Sequence, residues 1–308
     1  MAALSASSRR RMHWFRVVPI LLLIAASTVV HVVPLLLVAL LKVLLPFERL
    51  RIACNPLLTG IAASWIGGNN LMWDAFTHTR LDVRGDAELR MDGHYLVLAN
   101  HQSWVDILVL QKAFNRRIPL LRFFLKRQLF WVPLLGLAWW ALDFPFMGRY
   151  TKKQIALRPE LAGRDIEATR RACAKFRAIP VAIMNFVEGT RFTRAKHDRQ
   201  DSPYRHLLKP KSGGVAFVLD AMGEGLHAIL DVSIAYPAGI PSMVDLLADR
   251  IPEVRVQVRQ RAIPAELADG DYAGDRAHRA RFQQWMNGLW QEKDADIEAL
   301  LADESVPR

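Results

Sequence analysis

Two short strings hold the side chains most suited to chemistry. The first is Asn100-His101-Gln102-Ser103-Trp104-Val105-Asp106, and the second is Phe186-Val187-Glu188-Gly189-Thr190-Arg191. In the first, a histidine and an aspartate are spaced so that the acid can orient the imidazole as a general base. Histidine suits that task because its ordinary pKa, about 6.5, lies close to neutrality. The second string is a glycine-relaxed turn carrying a carboxylate, a hydroxyl and a guanidinium. A guanidinium and a hydroxyl are groups that grip a phosphate. Nine histidines would produce one His-x4-Asp by chance in roughly half of such chains. The information therefore lies in the two strings together, in this order, behind an apolar amino-terminal stretch.

These groups need elements to hold them. Tyr95-Leu96-Val97-Leu98-Ala99 reads as a buried strand that delivers His101 at its carboxyl end, and residues 104–115 read as the helix that follows. Val181 to Val187 reads as a second buried strand, delivering Glu188. Ile229 to Tyr236 and Val254 to Val258 read as further strands. A helix near 276–302 puts Phe282, Trp285, Met286, Leu289 and Trp290 on one face. Strands alternating with helices predict an α/β fold whose mixed, largely parallel sheet is flanked by helices. The functional loops then lie at the carboxyl ends of the strands.

The amino-terminal part reads differently. Residues 17–45 are almost wholly apolar, with Arg9, Arg10 and Arg11 before them and Lys42, Arg49 and Arg51 at or beyond their end. The stretch exceeds a usual signal core and is long enough for one membrane span. Pro19, His31 and Pro34 interrupt it, so a kinked or re-entrant segment competes with a full span. Basic residues on both flanks give no orientation. Residues 50–78 read as an interfacial amphipathic helix, with Gly67-Gly68-Asn69-Asn70 as a break. The expected organisation is a helical membrane anchor over 1–78 and a catalytic domain over 79–308.

Charge and cysteine content narrow the partners. The 308 residues carry a net charge of +11. Between Arg191 and Lys211 seven basic residues face two acidic ones, whereas after Pro252 the acids outnumber the bases eleven to eight. A basic middle segment favours phosphate-bearing substrates, anionic lipid or an acidic carrier protein. No nucleic-acid motif supports the rival partner. Cys54 and Cys173 are too few for a disulfide framework and lack metal-ligand spacing, which favours a reducing compartment and no metal.

Together the motifs resemble the glycerolipid acyltransferase family, the 1-acylglycerol-3-phosphate acyltransferases and their relatives. Asn100, His101, Ser103 and Asp106 match the first family block, and Glu188, Gly189, Thr190 and Arg191 the third. A second block appears as Lys126-Arg127-Gln128-Leu129 with Pro133 and Gly136, where Gln128 replaces the usual acid. It continues to Phe146-Met147-Gly148-Arg149. The fourth is a looser match, Lys209-Pro210-Lys211-Ser212-Gly213-Gly214 and the strand ending at Pro237.

The resemblance implies catalytic roles for His101 and Asp106. It implies substrate-binding roles for Ser103, Lys126, Arg149, Glu188, Gly189, Thr190 and Arg191. It also implies acyl-CoA or acyl carrier protein as donor and a lysophospholipid as acceptor, with membrane phospholipid around the enzyme and no cofactor or nucleic acid. The run from Asn185 to Thr193 looks closer to lysocardiolipin and lysophosphatidylinositol acyltransferases, and to a bacterial inner-membrane group. That group implies a catalytic domain facing the cytoplasm. An acyl thioester is already activated, so the acceptor hydroxyl can attack it directly, and the chain contains no Gly-x-Ser-x-Gly elbow. A non-catalytic lipid-binding scaffold and an acyl-thioester hydrolase are the competing readings. The stretch Leu129 to Met147, rich in Trp and Phe, is either core or an acyl-chain tunnel.

Overall fold

The computed structural model describes residues 6–85, 87–148, 157–158, 164–176, 179–268, 270, 272 and 274–303. The helices are α1 (Ala6–Leu44), α2 (Glu48–Phe76), α3 (Val105–Phe114), α4 (Leu135–Ala141), α5 (Arg164–Phe176), α6 (Arg194–Gln200), α7 (Gly213–Met222), α8 (Met243–Leu247), α9 (Ala265–Ala268) and α10 (Arg276–Ala302). The strands are β1 (Arg80–Arg84), β2 (Tyr95–Ala99), β3 (Leu121–Phe123), β4 (Leu125–Lys126), β5 (Phe146–Met147), β6 (Ala182–Phe186), β7 (Ala228–Ala235) and β8 (Glu253–Arg261). They group into two compact units. One comprises residues 1–82, 103–115 and 236–255, and the other 83–102, 116–235 and 256–308.

The first unit is built on a helical hairpin. Within α1, Phe15–Leu44 has a mean hydropathy of 2.5 over its most apolar window. Its 30 residues would extend about 45 Å, more than the ~30 Å of a bilayer's hydrocarbon core. Leu22, Val30, Leu37 and Val43 project outward and are each more than 60% exposed. Length and composition thus suffice for one bilayer crossing.

α2 returns antiparallel to α1, with Lys42 Nζ donating to Asn55 Oδ1 at 2.7 Å and Arg16 Nη2 donating to the Phe76 carbonyl at 2.6 Å. Cys54, Leu58, Ala62 and Ile66 recur every fourth residue as the buried stripe of α2. The possible break at Gly67-Gly68-Asn69-Asn70 is absent. Pro19 and Pro34 lie inside α1, and α2 continues through Gly67 and Gly68. Each proline forfeits one i→i−4 bond, a local cost outweighed by apolar helix on both sides and by packing along the partner helix. Gly68 is a contact point: a Cβ there would sit 3.6 Å from Ser27 Oγ of α1.

The second unit contains the central strands of a mixed, mostly parallel six-stranded sheet ordered β1-β8-β7-β2-β6-β3. β2 pairs in parallel with both β6 and β7, placing Ala99 opposite Phe186 and Val232. A two-stranded parallel pair joins β4 to β5. Every residue of β2 and β7 is buried. That explains the continuous apolar run of β2, because a strand covered on both faces has no polar side to alternate with, whereas β7 also buries Asp231 and Ser233. Phe282, Met286, Leu289 and Trp290 of α10 join the core as their spacing predicts.

One helical position breaks the expected polarity. Lys293 of α10 is wholly buried, and its Nζ donates to the Val232 carbonyl at 2.6 Å and the Leu98 carbonyl at 3.5 Å. It also pairs with the Asp231 carboxylate, whose other oxygen accepts from Arg261 Nε at 2.9 Å. Burial holds the Lys293 ammonium below its ordinary pKa, and the Asp231 charge opposes that shift. The network ties α10 to β2, β7 and β8 at the centre of the unit.

Candidate active site

In the second unit Asn100 and His101 of the first string and Glu188 to Arg191 of the second come together at the carboxyl end of β2. Asn100 is buried and extends the sheet with its side chain: Nδ2 donates to the Ile234 carbonyl at 2.9 Å and Oδ1 accepts the Ile234 N–H at 2.8 Å. A carboxamide offers the same donor and acceptor as a peptide. It therefore continues the β2–β7 ladder past Ala99 while the main chain turns away.

His101 comes next, and the 188–192 loop grips its main chain from both sides. Its N–H donates to Glu188 Oε1 at 2.9 Å, and its carbonyl accepts the Phe192 N–H at 2.7 Å. The imidazole is partly exposed and stacks on Phe186, with centroids 3.9 Å apart and planes 14° from parallel.

Glu188 is wholly buried, and its second oxygen accepts the Leu208 N–H at 3.1 Å. Each oxygen thus accepts a main-chain N–H, and Glu188 ties the main chain at His101 to that at Leu208. A buried carboxylate needs such donors to offset its lost hydration. Gly189 has φ +70, where a side chain is disfavoured, and a Cβ there would lie 3.2 Å from Lys211 Nζ. Lys196 Nζ donates to Thr190 Oγ1 at 2.9 Å and to the Arg191 carbonyl at 2.8 Å. With Arg191 and Lys211 exposed, this turn presents the cations that an anionic group would need.

The first unit holds Ser103 and Asp106. Ser103 Oγ donates to the Pro241 carbonyl at 2.6 Å and accepts the Val105 N–H at 3.1 Å. Asp106, in the first turn of α3, is wholly buried. Its Oδ2 accepts the Ser103 N–H at 2.8 Å, and its Oδ1 accepts the Tyr236 hydroxyl at 2.6 Å. A carboxylate has about four lone-pair sites, so these two bonds leave acceptor capacity.

Burial, then the Asp106 charge and hydrogen bond, push the Tyr236 hydroxyl well above its ordinary pKa. The folded chain therefore keeps this proton to higher pH than the unfolded chain. Stability from this group is complete below pH about 10 and falls as pH rises beyond it. Tyr236→Phe is expected to lower stability by about 1.5–3 kcal/mol, the range for a buried hydrogen bond to a charged group. It should also flatten that alkaline decline, both read from chemical denaturation at several pH values. A loss below about 0.5 kcal/mol would mean that the short contact adds nothing to the fold.

The remaining expected residues are dispersed. Lys126 is exposed in β4, and Arg149 lies outside the described residues. Arg122, grouped by sequence with a solvated or lipid-facing cluster, is buried instead. Its Nε donates to the Leu142 carbonyl at 2.9 Å, its guanidinium lies 5.1 Å from the Phe176 ring centroid, and burial lowers its pKa to about 10. Tyr236, Phe186 and Lys196 were not singled out. The available signals were weak: a tyrosine before Pro237 at a strand end, an aromatic residue two before Glu188, and one lysine among many cations.

Residues 80–237, just over half of the chain, match the family model described as Acyltransferase. Lysocardiolipin acyltransferase 1 of Danio rerio is 31% identical over 42% of this chain and 34% of its own length. The 1-acyl-sn-glycerol-3-phosphate acyltransferase gamma of Mus musculus is 28% identical over 66% of this chain and 52% of its own. The chain thus spans about a third to a half of the length of these relatives. In three dimensions it resembles the 1-acyl-sn-glycerophosphate (LPA) acyltransferase PlsC of Thermotoga maritima, with TM-score 0.54 and 15% identity. That likeness covers 96% of this chain and 100% of the other, and it shows a shared fold.

Proposed function

Since the chain belongs to the Acyltransferase family, we propose that it moves a fatty acyl group from a thioester, acyl-CoA or acyl carrier protein, to a free hydroxyl of lysophosphatidic acid or another lysophospholipid. The observation carrying this reading is the double main-chain grip on His101 by the loop that bears Arg191. It couples a base and an anion-binding turn, the two functions that acylating a phosphorylated alcohol requires.

In this mechanism His101 takes the acceptor's hydroxyl proton as the oxygen attacks the thioester carbonyl. The oxyanion collapses, the carbon–sulfur bond breaks, and the departing thiolate recovers the proton from the imidazolium. No side-chain nucleophile is needed. Asp106, five residues on, is proposed to orient the imidazole and stabilise its charged form. Thr190 and Arg191 are proposed to receive the acceptor's phosphate, with Gly189 supplying the turn. The relatives acting on lysocardiolipin favour a second acceptor with a larger head group. Because the α1–α2 hairpin brings Phe76 back beside Arg16, it suits an anchor whose two ends share one side of a bilayer. We take that side to be the cytoplasmic face of a bacterial inner membrane, where acyl thioesters are made.

Purified protein incubated with labelled acyl-CoA, with and without lysophosphatidic acid or lysocardiolipin, tests the reading. Acylated acceptor supports it. Free fatty acid alone would indicate a hydrolase, and no turnover with labelled acyl-CoA or, in a parallel assay, with labelled acyl carrier protein would indicate a lipid-binding protein. Arg191→Lys keeps the charge but loses the two-pronged grip. It is expected to raise the KM for the lysophospholipid while changing donor dependence much less. A stable variant with unchanged acceptor kinetics would remove Arg191 from the site.

A further inference from the structure

A run of exposed apolar residues in the second unit serves neither its core nor the site described above. Trp131 is 81% exposed, Trp140 53%, Leu137 47% and Leu134 39%. They fall three residues apart, Trp131 at the end of the short 3₁₀ turn at Arg127–Trp131, Leu134 just before α4, and Leu137 and Trp140 on neighbouring positions of the α4 surface.

The segment is held rigidly in this form. A Cβ on Gly136 would lie 1.8 Å from the Phe130 carbonyl oxygen, and Phe130 packs edge-on against Phe146 with centroids 5.7 Å apart. Leu134 has φ +62, a conformation that L side chains rarely adopt. A leucine strained in order to stand in solvent is a poor solution for folding, and such strain gathers where a surface has a use.

The charge around the run identifies the partner. From Ile107 to Leu142 there is no Asp or Glu, while Lys126 and Arg127 sit exposed directly before the tryptophans. Tryptophan prefers the boundary between hydrocarbon and head groups, and adjacent cations attract anionic lipid phosphates. We propose that residues 126–140 are a second membrane contact, separate from α1. Trp131, Leu134, Leu137 and Trp140 enter the surface of an anionic bilayer, and Lys126 and Arg127 meet its phosphates. Lys126, expected from the sequence to hold substrate, thereby gains a bilayer partner. The contact would hold this unit on the membrane whether or not it catalyses acyl transfer.

The test uses the full chain carrying Cys54→Ser and Cys173→Ala, with an environment-sensitive fluorophore on Leu137→Cys or, as a control, on exposed Gln291→Cys. Each protein is reconstituted into vesicles of phosphatidylcholine, with or without phosphatidylglycerol, that bear nitroxides on their acyl chains. The expected result is a blue shift and loss of most emission at position 137, greater in anionic vesicles and absent at 291. Adding Lys126→Glu and Arg127→Glu should reduce the loss in anionic vesicles to the neutral level while flotation with vesicles persists through α1. Equal emission at 137 and 291 in both vesicles overturns the proposal. So does concentration-dependent shielding at 137 without lipid, which identifies a second copy. Shielding by monomeric acyl-CoA without nitroxide quenching also overturns it, identifying a substrate groove. Hydrogen exchange of residues 127–141 in the native-cysteine chain reads the same contact if the labelled variants do not fold. Protection by anionic vesicles supports it, and unchanged exchange overturns it.

Discussion

His101→Ala is expected to lower the rate of acyl transfer about 10²–10⁴-fold, the usual contribution of a positioned general base. The fold should change little. The two bonds from the 188–192 loop use the main chain of His101, so both survive the substitution. The loss includes the stacking on Phe186, about 0.5–1.5 kcal/mol. Rate and stability therefore separate in this variant, and measuring labelled acyl transfer beside a thermal transition shows whether they do. Asp106→Asn should also be severe for transfer. It additionally disturbs the bonds from Ser103 and Tyr236, so it should cost stability that His101→Ala does not. Near-normal transfer by a folded His101→Ala protein would eliminate the proposed mechanism.

Lys293→Ala should have the largest effect on stability, about 3–5 kcal/mol, because removing one member of a buried ion network strands the other. Asp231 would keep Arg261 but lose its buried ammonium partner, and the Val232 carbonyl would lose a 2.6 Å donor inside the core. A cavity in the place of the lysine stem adds to the loss. Against a total stability of about 5–15 kcal/mol, this is enough to threaten folding near body temperature. Lys293→Met combined with Asp231→Asn should recover part of the loss, since it fills the volume and removes the stranded charge. Urea denaturation of the single and double variants measures both effects. A single-variant loss below about 1 kcal/mol would mean that water already enters the network and the pair is not truly desolvated.

Both predictions involve residues whose partners are distant in sequence, which explains what could be read from the sequence alone. β2 was legible because a strand covered on both faces becomes a continuous apolar run, and β7 because it is mostly β-branched and apolar despite Asp231 and Ser233. The apolar face of α10 was legible because helical spacing repeats within a few turns. The two chemical strings were legible for a similar reason, since a base and a turn are local patterns. The possible break at Gly67-Gly68-Asn69-Asn70 does not form, and α1 runs on through Pro19 and Pro34. Local propensity is worth a few kcal/mol at most, and the α1–α2 packing outweighs it.

The side-chain roles were decided by the tertiary structure. The sequence delivers Glu188 at the end of a strand, but only the fold puts the N–H groups of His101 and Leu208 on its two oxygens. The burial of Lys293 and Arg122 was not legible, because sequence records charge but not depth. By itself, then, the sequence determined which elements form and which residue types reach the carboxyl end of β2. Which of those groups are buried and which main-chain atoms they hold was left to tertiary packing. Hydrogen bonds and desolvation act over a few ångströms, between residues that here lie from 20 to 195 positions apart.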